Sequence, residues 1–235
     1  NTELENIKTL EKNMVDGMIV SLSLETKNVD YFKNLINSGF PLVLFNRVSN
    51  ELDTSKVVID DYKWAFFATE HLIYQGFRNI FHFAGPGGLM FTQNRRNGFV
   101  DAHRKHKLPI SENSIMEAGL LMSDGERVME KLIAMHNIPD AIFAVNDPTA
   151  IGAMKALKKH GYKIPDDVAL VGFTESKLAP LIDPPLTSVA QPTHEIGTTA
   201  ARLLLDRIES KGIFVPQTVV LNGRLNVRES SMKLR

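Results

Sequence analysis

The chain has 235 residues, of which 43% are hydrophobic and 23% charged, as expected of a globular protein with one large or two small domains. Lys plus Arg and Asp plus Glu both number 27, so the chain lacks the basic surplus of a nucleic-acid-binding surface. It contains no cysteine, which excludes disulfides and thiolate chemistry. No apolar run approaches the roughly 20 residues that a membrane-spanning helix needs.

The first half of the chain alternates helical and strand patterns. Leu4, Ile7 and Leu10 recur at helical spacing and predict a helix over 3–13. Elsewhere, short apolar runs bounded by polar residues predict strands, and glycines mark the ends of helices. On this basis helices are predicted over 28–38, 60–75, 92–106 and 123–135, and strands over 18–22, 41–45, 56–59, 79–84 and 114–117.

A strand–helix–strand unit follows. Ala141–Val145 predicts a buried strand, Asp147-Pro148 starts a helix that Gly161 ends, and Val168–Phe173 predicts the next strand. Such crossover units build parallel sheets, so the sequence predicts an α/β fold. In open parallel sheets, ligands bind outside the carboxyl ends of the strands.

The last part of the chain begins with a long predicted helix after Pro192. Val219–Leu221 and Arg224–Val227 predict two strands separated by Asn222-Gly223, a pair typical of β-hairpin turns. The polar tail from Glu229 is expected to be frayed. The order of strands and helices indicates two lobes between which the chain crosses more than once.

The sequence contains neither the G-x-S-x-G nor the H-E-x-x-H catalytic motif. Gly85-Pro86-Gly87-Gly88 follows a strand but lacks the lysine of a P-loop, so a turn is favoured over a phosphate site. His103 and His106 have no acidic neighbour in sequence, which favours a solvated basic helix face over a metal site. Helix capping explains Asp60-Asp61. The chain is therefore predicted to be no enzyme and to bind no metal and no cofactor.

Polar side chains follow several predicted strands or lie in the helices next to them. Amide, carboxylate and guanidinium groups suit a small hydroxylated or anionic ligand. Each of these side chains could instead cap a helix or face water, and the residue pattern leaves that alternative open. The candidates are Asn46, Arg47, Arg95, Asn146, Asp147 and Thr174.

Several linked motifs resemble those of the LacI/GalR transcriptional regulators. Residues 144–153, AVNDPTAIGA, are similar to the family's NDxxAxG segment. Residues 164–173, IPDDVALVGF, are similar to IPxDVxLVGFD, and residues 185–192, PLTSVAQP, to PxLTTVxQP. The resemblance covers about residues 15–228. Further matches occur upstream in the family's order: Asp16–Ile19, Pro41–Val43, Asp60, His71–Ile73 and Arg95-x-x-Gly98-Phe99.

The resemblance implies the effector-binding core of that family. This core has a two-lobed, periplasmic-binding-protein-like fold with parallel sheets, flanking helices and three crossovers between the lobes. The expected lobes are 1–60 plus 192–218 and 61–191 plus 219–235, with the family's first strand, helix and strand expected ahead of residue 1. The resemblance also implies a homodimer, a cytoplasmic location and operator DNA bound through an N-terminal helix-turn-helix that is absent from this chain.

The family's effector contacts can be carried over residue by residue. Arg95 matches the arginine that grips the effector in the cleft between the lobes. Asn146 matches a cleft asparagine, with Asp147 beside it. Arg47, next to Asn46, falls at a position that often lines the pocket.

Other positions depart from the family pattern or concern its dimer. Leu120 lies near the position where relatives can stack an aromatic ring on the ligand. Thr174 replaces an aspartate that can accept two sugar hydroxyls, so the effector is expected to be bound differently or to be less polyhydroxylated. Met154, Leu178 and Leu181 lie on elements that form the dimer contact in relatives, with core packing as the alternative.

The leading interpretation is the effector-sensing and dimerisation core of a LacI/GalR-type repressor. Its effector is expected to be a sugar or sugar derivative, whose binding would favour one lobe angle that the dimer passes to the DNA-binding heads. The alternative is the periplasmic sugar-binding protein of a transporter. That protein would share the fold but would need an export signal and would usually be monomeric.

Overall fold

The computed structural model describes residues 2–26, 29–111, 113–210 and 214–233. The chain divides into two compact units. Unit 1 comprises Asn1–Ile59 and Pro192–Asn222, and unit 2 comprises Asp60–Gln191 and Gly223–Arg235. The chain therefore passes from one unit to the other after residues 59, 191 and 222.

Helices and strands alternate along the chain. The helices are α1 (Thr2–Lys12), α2 (Asp30–Asn37), α3 (Asp61–Tyr74), α4 (Met90–Lys105), α5 (Met122–Ala134), α6 (Asp147–Lys159) and α7 (Thr193–Glu209). The strands are β1 (Met18–Val20), β2 (Leu42–Phe45), β3 (Ser55–Ile59), β4 (Ile80–Ala84), β5 (Ile115–Glu117), β6 (Ala141–Ala144), β7 (Ala169–Thr174), β8 (Thr187–Ala190), β9 (Thr218–Leu221) and β10 (Arg224–Asn226). The predicted start of the second helix at residue 28 lies outside the described residues.

Unit 1 is built on a parallel sheet of four strands in the order β1-β2-β3-β9. Its apolar centre is β2, where Leu42, Val43 and Leu44 are at most 2% exposed. Helix α7 packs against β2 and β3. The buried residues of α7 are Ile196, Ala200 and Leu203, which lie at helical spacing on one face.

Unit 2 is built on a six-stranded sheet in the order β10-β8-β7-β6-β4-β5. Only the pairing of β10 with β8 is antiparallel among the described strands. Every residue of β4 and β6 is buried, which is the pattern of strands covered on both faces. The predicted α/β class with parallel sheets and flanking helices is confirmed.

Helices α5 and α6 approach each other closely enough to require glycine at the contact. A Cβ atom added to Gly152 would lie 1.9 Å from the carbonyl oxygen of Met122. A Cβ atom added to Gly125 would lie 2.0 Å from the carbonyl oxygen of Thr149. The two backbones are therefore in contact, and this fixes α6, whose first residues belong to the candidate site.

The predicted hairpin around Asn222-Gly223 is wrong. β9 pairs in parallel with β3 in unit 1, whereas β10 pairs antiparallel with β8 in unit 2. The two residues form a crossover instead of a turn, because each strand completes the edge of a different sheet. The predicted lobe boundary after residue 218 consequently falls at the start of β9, and the observed division follows Asn222.

The expectation of a frayed tail from Glu229 is also wrong. Residues 229–231 form a 3-10 turn in which Ser230 and Ser231 are fully buried. Ser230 donates to the carbonyl oxygen of Leu170 at 2.7 Å, and Ser231 hydrogen-bonds Thr187 Oγ1 at 2.7 Å. These hydroxyls satisfy buried backbone and side-chain groups of β7 and β8, so polar composition here indicates buried hydrogen bonding.

Candidate functional site

The predicted ligand residues of unit 2 lie at one edge of its sheet. Asn146-Asp147 comes just after β6, and Thr174 is the last residue of β7. The side-chain nitrogen Nδ2 of Asn146 donates to the carbonyl oxygen of Leu120 at 2.9 Å. Arg95 of α4 donates to the carbonyl oxygen of Val145 at 2.5 Å. The structure thus places these residues at the carboxyl ends of neighbouring parallel strands, where ligands bind in such sheets.

Arg95 is held in a buried ion pair with Asp61. Its Nε and Nη2 donate to Asp61 Oδ1 at 2.8 and 2.6 Å, and its side chain is 3% exposed. The guanidinium carbon lies 3.6 Å from the ring centroid of Phe173 and 4.9 Å from that of Phe91. Burial raises the pKa of the Asp61 carboxyl and the Arg95 charge opposes that shift. The guanidinium is therefore desolvated, lies close to two aromatic rings and is paired with one carboxylate.

The two adjacent aspartates at the start of α3 have different roles. Asp60 caps the helix, since its Oδ1 accepts from the backbone nitrogen of Lys63 at 2.9 Å. Asp61 is buried and pairs with Arg95, so the capping interpretation is wrong for it. The sequence does contain a signal for the second role of Asp61. A helix needs only one cap residue, so a second carboxylate next to the cap is available for another interaction.

Asn146 occupies the N-cap position of α6. Its Oδ1 accepts from the backbone nitrogen of Thr149 at 2.9 Å, while its Nδ2 donates to Leu120. Both ends of the amide are engaged, so Asn146 ties the loop after β5 to the start of α6. The capping alternative therefore describes the geometry of Asn146 correctly, and the amide keeps one donor hydrogen and one acceptor lone pair for further bonds.

Asp147 is fully buried at the first turn of α6. Ser188 Oγ donates to its Oδ1 at 2.6 Å, and the backbone nitrogen of Ser176 donates to its Oδ2 at 2.5 Å. Burial raises the pKa of this carboxyl to about 6, and the two donors partly offset the shift. Sequence reasoning misses Ser188 and Ser176, because their positions in β8 and a loop carry no local signal.

Thr174 and Glu175 both have positive φ angles, +104° and +54°. Glu175 forms an ion pair with Arg228 through both carboxylate oxygens, and its backbone nitrogen donates to Ser188 Oγ at 3.1 Å. The Thr174 side chain is half-buried. The turn that follows β7 is therefore tied to Arg228 through the Glu175 side chain and to Ser188 through the Glu175 backbone.

Asn46 and Arg47 follow β2 in unit 1. Asn46 has a φ of +56°, and its backbone nitrogen donates to the carbonyl oxygen of Val57 at 3.1 Å. Arg47 Nε donates to the carbonyl oxygen of Leu22 at 2.5 Å. Their prediction as ligand contacts stays a prediction.

The glycine-rich segment after β4 borders a cavity in unit 2. Gly87 accepts a hydrogen bond from Gln93 Nε2 at 2.6 Å, which ties the loop to α4. The cavity has a volume of about 540 Å³, and none of the predicted ligand residues lines it. Its lining comprises Ala84, Gly85, Gly87, Thr92, Gln93, Arg96, Asn97, Ile115 and Glu117.

The two histidines at the end of α4, His103 in its last turn and His106 directly after it, do not form a solvated basic face. His103 is 1% exposed, and its Nδ1 lies 2.9 Å from the carbonyl oxygen of Phe99. His106 Nε2 lies 2.7 Å from Glu70 Oε1, which also accepts from Lys105 at 2.9 Å. The acidic partner comes from α3 and is invisible in the local sequence. Across the described residues, no group of three His, Cys, Asp or Glu side chains could hold a metal ion.

The three predicted dimer residues fall into two classes. Leu178 and Leu181 are 49% and 77% exposed. Met154 is 3% exposed and belongs to the hydrophobic core between the sheet and helices α5 and α6. Its side chain is a core residue because α6 turns that face inward, so Met154 is removed from the candidate interface.

Comparison with known proteins identifies the chain. A family described as "Periplasmic binding protein-like domain" matches residues 69–231. The transcriptional regulator DegA of Bacillus subtilis is 32% identical over 99% of this chain and 68% of its own length. A LacI-family regulator from Enterococcus faecium, solved with bound ribose, superposes with a TM-score of 0.87, at 27% identity and over 98% of this chain and 85% of that one.

The chain belongs to the LacI family of transcriptional regulators. Another relative is the repressor PurR of Vibrio parahaemolyticus, 32% identical over 87% of this chain and 61% of its own length. The regulator CelR in complex with cellobiose superposes with a TM-score of 0.88, at 31% identity and over 98% of this chain and 70% of that one. The chain spans between about three-fifths and two-thirds of the length of DegA and PurR.

These relatives distinguish the transcriptional regulator from the two other interpretations of the sequence, an enzyme and the sugar-binding protein of a transporter. The LacI-family identity and the two-lobed, periplasmic-binding-protein-like fold are confirmed. The named relatives regulate transcription, which supports a protein that is not an enzyme and does not favour the sugar-binding protein of a transporter. Through the described ranges, no helix is long and apolar enough to cross a membrane.

Proposed function

We propose that this chain is the effector-sensing and dimerisation core of a LacI-type DNA-binding repressor, and that its effector is a sugar or sugar derivative. The observation that carries the proposal is the cluster of Arg95, Asn146 and Thr174 at the carboxyl ends of the sheet in unit 2. Relatives with bound ribose and cellobiose support the carbohydrate assignment. The repressor acts in the cytoplasm, where its operator is.

Charge at the cluster favours a neutral effector. The Arg95 guanidinium already has a full carboxylate partner in Asp61, at 2.6 Å. An anionic effector would have to compete with that buried carboxylate for the same donors, whereas a sugar hydroxyl can accept from a hydrogen that remains on the guanidinium. A neutral, hydroxylated molecule therefore fits this site better than a phosphate or carboxylate.

Operator binding belongs to the rest of the protein. The balanced charge of this chain gives it no general attraction for the DNA backbone. We place the DNA contacts in a helix-turn-helix outside this chain, and the description of DegA and PurR as HTH-type regulators supports this. The effector acts on DNA affinity by its different affinity for two conformations of the core.

The carbohydrate assignment is tested by calorimetry with neutral saccharides, beginning with ribose and cellobiose. Thr174→Val removes the hydroxyl and keeps the branched shape, and we expect it to weaken binding of the recognised sugar about three- to tenfold, the effect of one polar contact. Thr218→Val, at an exposed position of β9, is the matched control and should leave binding unchanged. Absence of binding by a full panel of neutral mono- and disaccharides would refute the assignment.

The dimer is proposed to use the exposed segment after β7. We expect Leu181→Asp to weaken self-association by about tenfold or more, since an apolar side chain at the centre of an interface contributes strongly. Light scattering over a concentration series measures this. Met135→Asp changes an equally apolar, 59% exposed residue elsewhere in unit 2 and should leave the dimer intact. A wild-type chain that stays monomeric at high concentration would contradict the proposal.

A further inference from the structure

The turn after β7 has an unfavourable backbone conformation. Thr174 has a φ of +104° and Glu175 a φ of +54°, and neither is a glycine. Positive φ is costly for a β-branched residue such as threonine, because its side chain crowds the backbone. Strained residues persist only where their surroundings hold them in place, and they cluster at functional sites. Contacts with neighbouring residues must therefore hold this turn in its conformation.

The Asp147 carboxylate accepts the hydrogen bonds that hold this turn in place. Its Oδ2 accepts from the backbone nitrogen of Ser176, directly after the two strained residues. Its Oδ1 accepts from Ser188 Oγ, and that hydroxyl oxygen in turn accepts from the backbone nitrogen of Glu175. One carboxylate thus reaches two consecutive backbone N–H groups of the turn, one directly and one through a serine.

Gly172 of β7 leaves the space that the Asp147 carboxylate occupies. A Cβ atom added to Gly172 would lie 2.3 Å from Asp147 Oδ1, so the carboxylate occupies the space that a side chain on the strand would fill. Asp147 has no exposed surface. Both of its oxygens already accept short bonds from within the protein, which leaves little reason to count it among the ligand contacts.

The surrounding charges make the carboxylate sensitive to protonation. Glu175 lies nearby and raises the pKa of Asp147 further, although Arg228 pairs with Glu175. Arg95 also interacts with Asp147 but is paired with Asp61. With a pKa of about 6, the folded chain binds this proton more tightly than the unfolded chain does. Falling pH therefore relieves the buried charge while it weakens the acceptor that Ser176 uses.

We propose that Asp147 is a positioning residue and not an effector contact: its anionic carboxylate holds the Thr174–Ser176 turn, and with it the Thr174 side chain, in the strained conformation. The importance of this for effector binding rests on the proposed function. Thr174 is the predicted contact, and its hydroxyl is placed by a backbone that Asp147 keeps in position. Effector affinity then depends on the ionisation of a residue that the effector does not touch.

The test needs no effector, so its outcome is independent of the proposed function. In a ¹⁵N-labelled chain, the Ser176 amide resonance should shift with a midpoint near pH 6. In Asp147→Asn that titration should vanish, and the Ser176 and Glu175 amides should exchange about tenfold faster at pH 7, as expected when a charge-assisted bond is lost. Amides of β6 and β7 should be unaffected, which separates release of the turn from general destabilisation.

Two further variants complete the experiment. Asp183→Asn makes the same chemical change at a carboxylate that is 94% exposed, and it should leave the Ser176 titration in place. Thr174→Gly removes the cost of the positive φ, so adding Asp147→Asn to it should accelerate exchange much less than in the wild type. A Ser176 resonance that does not titrate, or equal acceleration of all unit 2 amides in Asp147→Asn, would overturn the proposal.

Discussion

Arg95→Ala is expected to destabilise the protein by about 3–5 kcal/mol, measured by urea denaturation. The reason is the partner that the substitution leaves behind. Asp61 is buried, and among the described residues Arg95 is the cation that pairs with it. Without the guanidinium, the carboxylate must remain charged in a low-dielectric site or take up a proton, and either costs stability.

A double variant separates this explanation from a loss of packing. Replacing both partners with neutral side chains, Arg95→Met together with Asp61→Asn, should recover a large part of the lost stability, because no unpaired buried charge remains. Arg104→Ala breaks the exposed pair with Asp101 on the same helix and should cost about 1 kcal/mol or less. A cost for Arg95→Ala as small as that of Arg104→Ala would show that the pair is not buried in solution.

The buried pair of Arg95 and Asp61 also affects ligand-binding assays. A variant of Arg95 that binds no sugar does not show that Arg95 touches the sugar, since the same substitution leaves the buried Asp61 carboxylate unpaired beside the site. Thr174→Val avoids the difficulty, because the hydroxyl of Thr174 is not needed to satisfy a buried charge. Arg95 is thus both the residue that the family resemblance singles out most clearly and the one least suited to a simple alanine test.

The candidate site could be predicted from the sequence where local pattern and family motif agree. Asn146 is an example: an asparagine between an apolar strand and a helix start has to lie at the carboxyl edge of the sheet. Its predicted location is correct, and so is that of Thr174 at the end of β7. Parallel pairing follows in the same way from the alternation of strands and helices.

What could not be predicted depends on partners that are distant in sequence. Asp61 lies 34 residues from Arg95, and Ser188 lies 41 residues from Asp147. No periodicity or spacing connects such pairs. The pair Asn222-Gly223 misleads for a related reason: its turn preference is real, but each flanking strand pairs with a more distant strand, and tertiary pairing outweighs a local signal.

Gly152→Ala is expected to destabilise the chain by about 3 kcal/mol, the upper part of the range for forcing extra volume into a packed core. Alanine is the better helix former, so helix propensity alone predicts a gain of about 1 kcal/mol. The new methyl group, however, would lie 1.9 Å from the carbonyl oxygen of Met122. A backbone atom cannot move aside as the end of a flexible side chain can, so α5 would have to separate from α6.

That separation would open the core of unit 2, since Val128, Met129 and Leu132 of α5 pack there. The matched control is Gly197→Ala in the interior of α7, where an added Cβ atom would meet nothing within 4 Å. There the propensity gain should appear undiminished, and stability should rise by about 0.5–1 kcal/mol. Opposite signs for the same substitution, read from two urea curves, would show that the glycine at position 152 is required by the helix contact. Equal signs would mean that α5 and α6 are farther apart than the backbone contact implies.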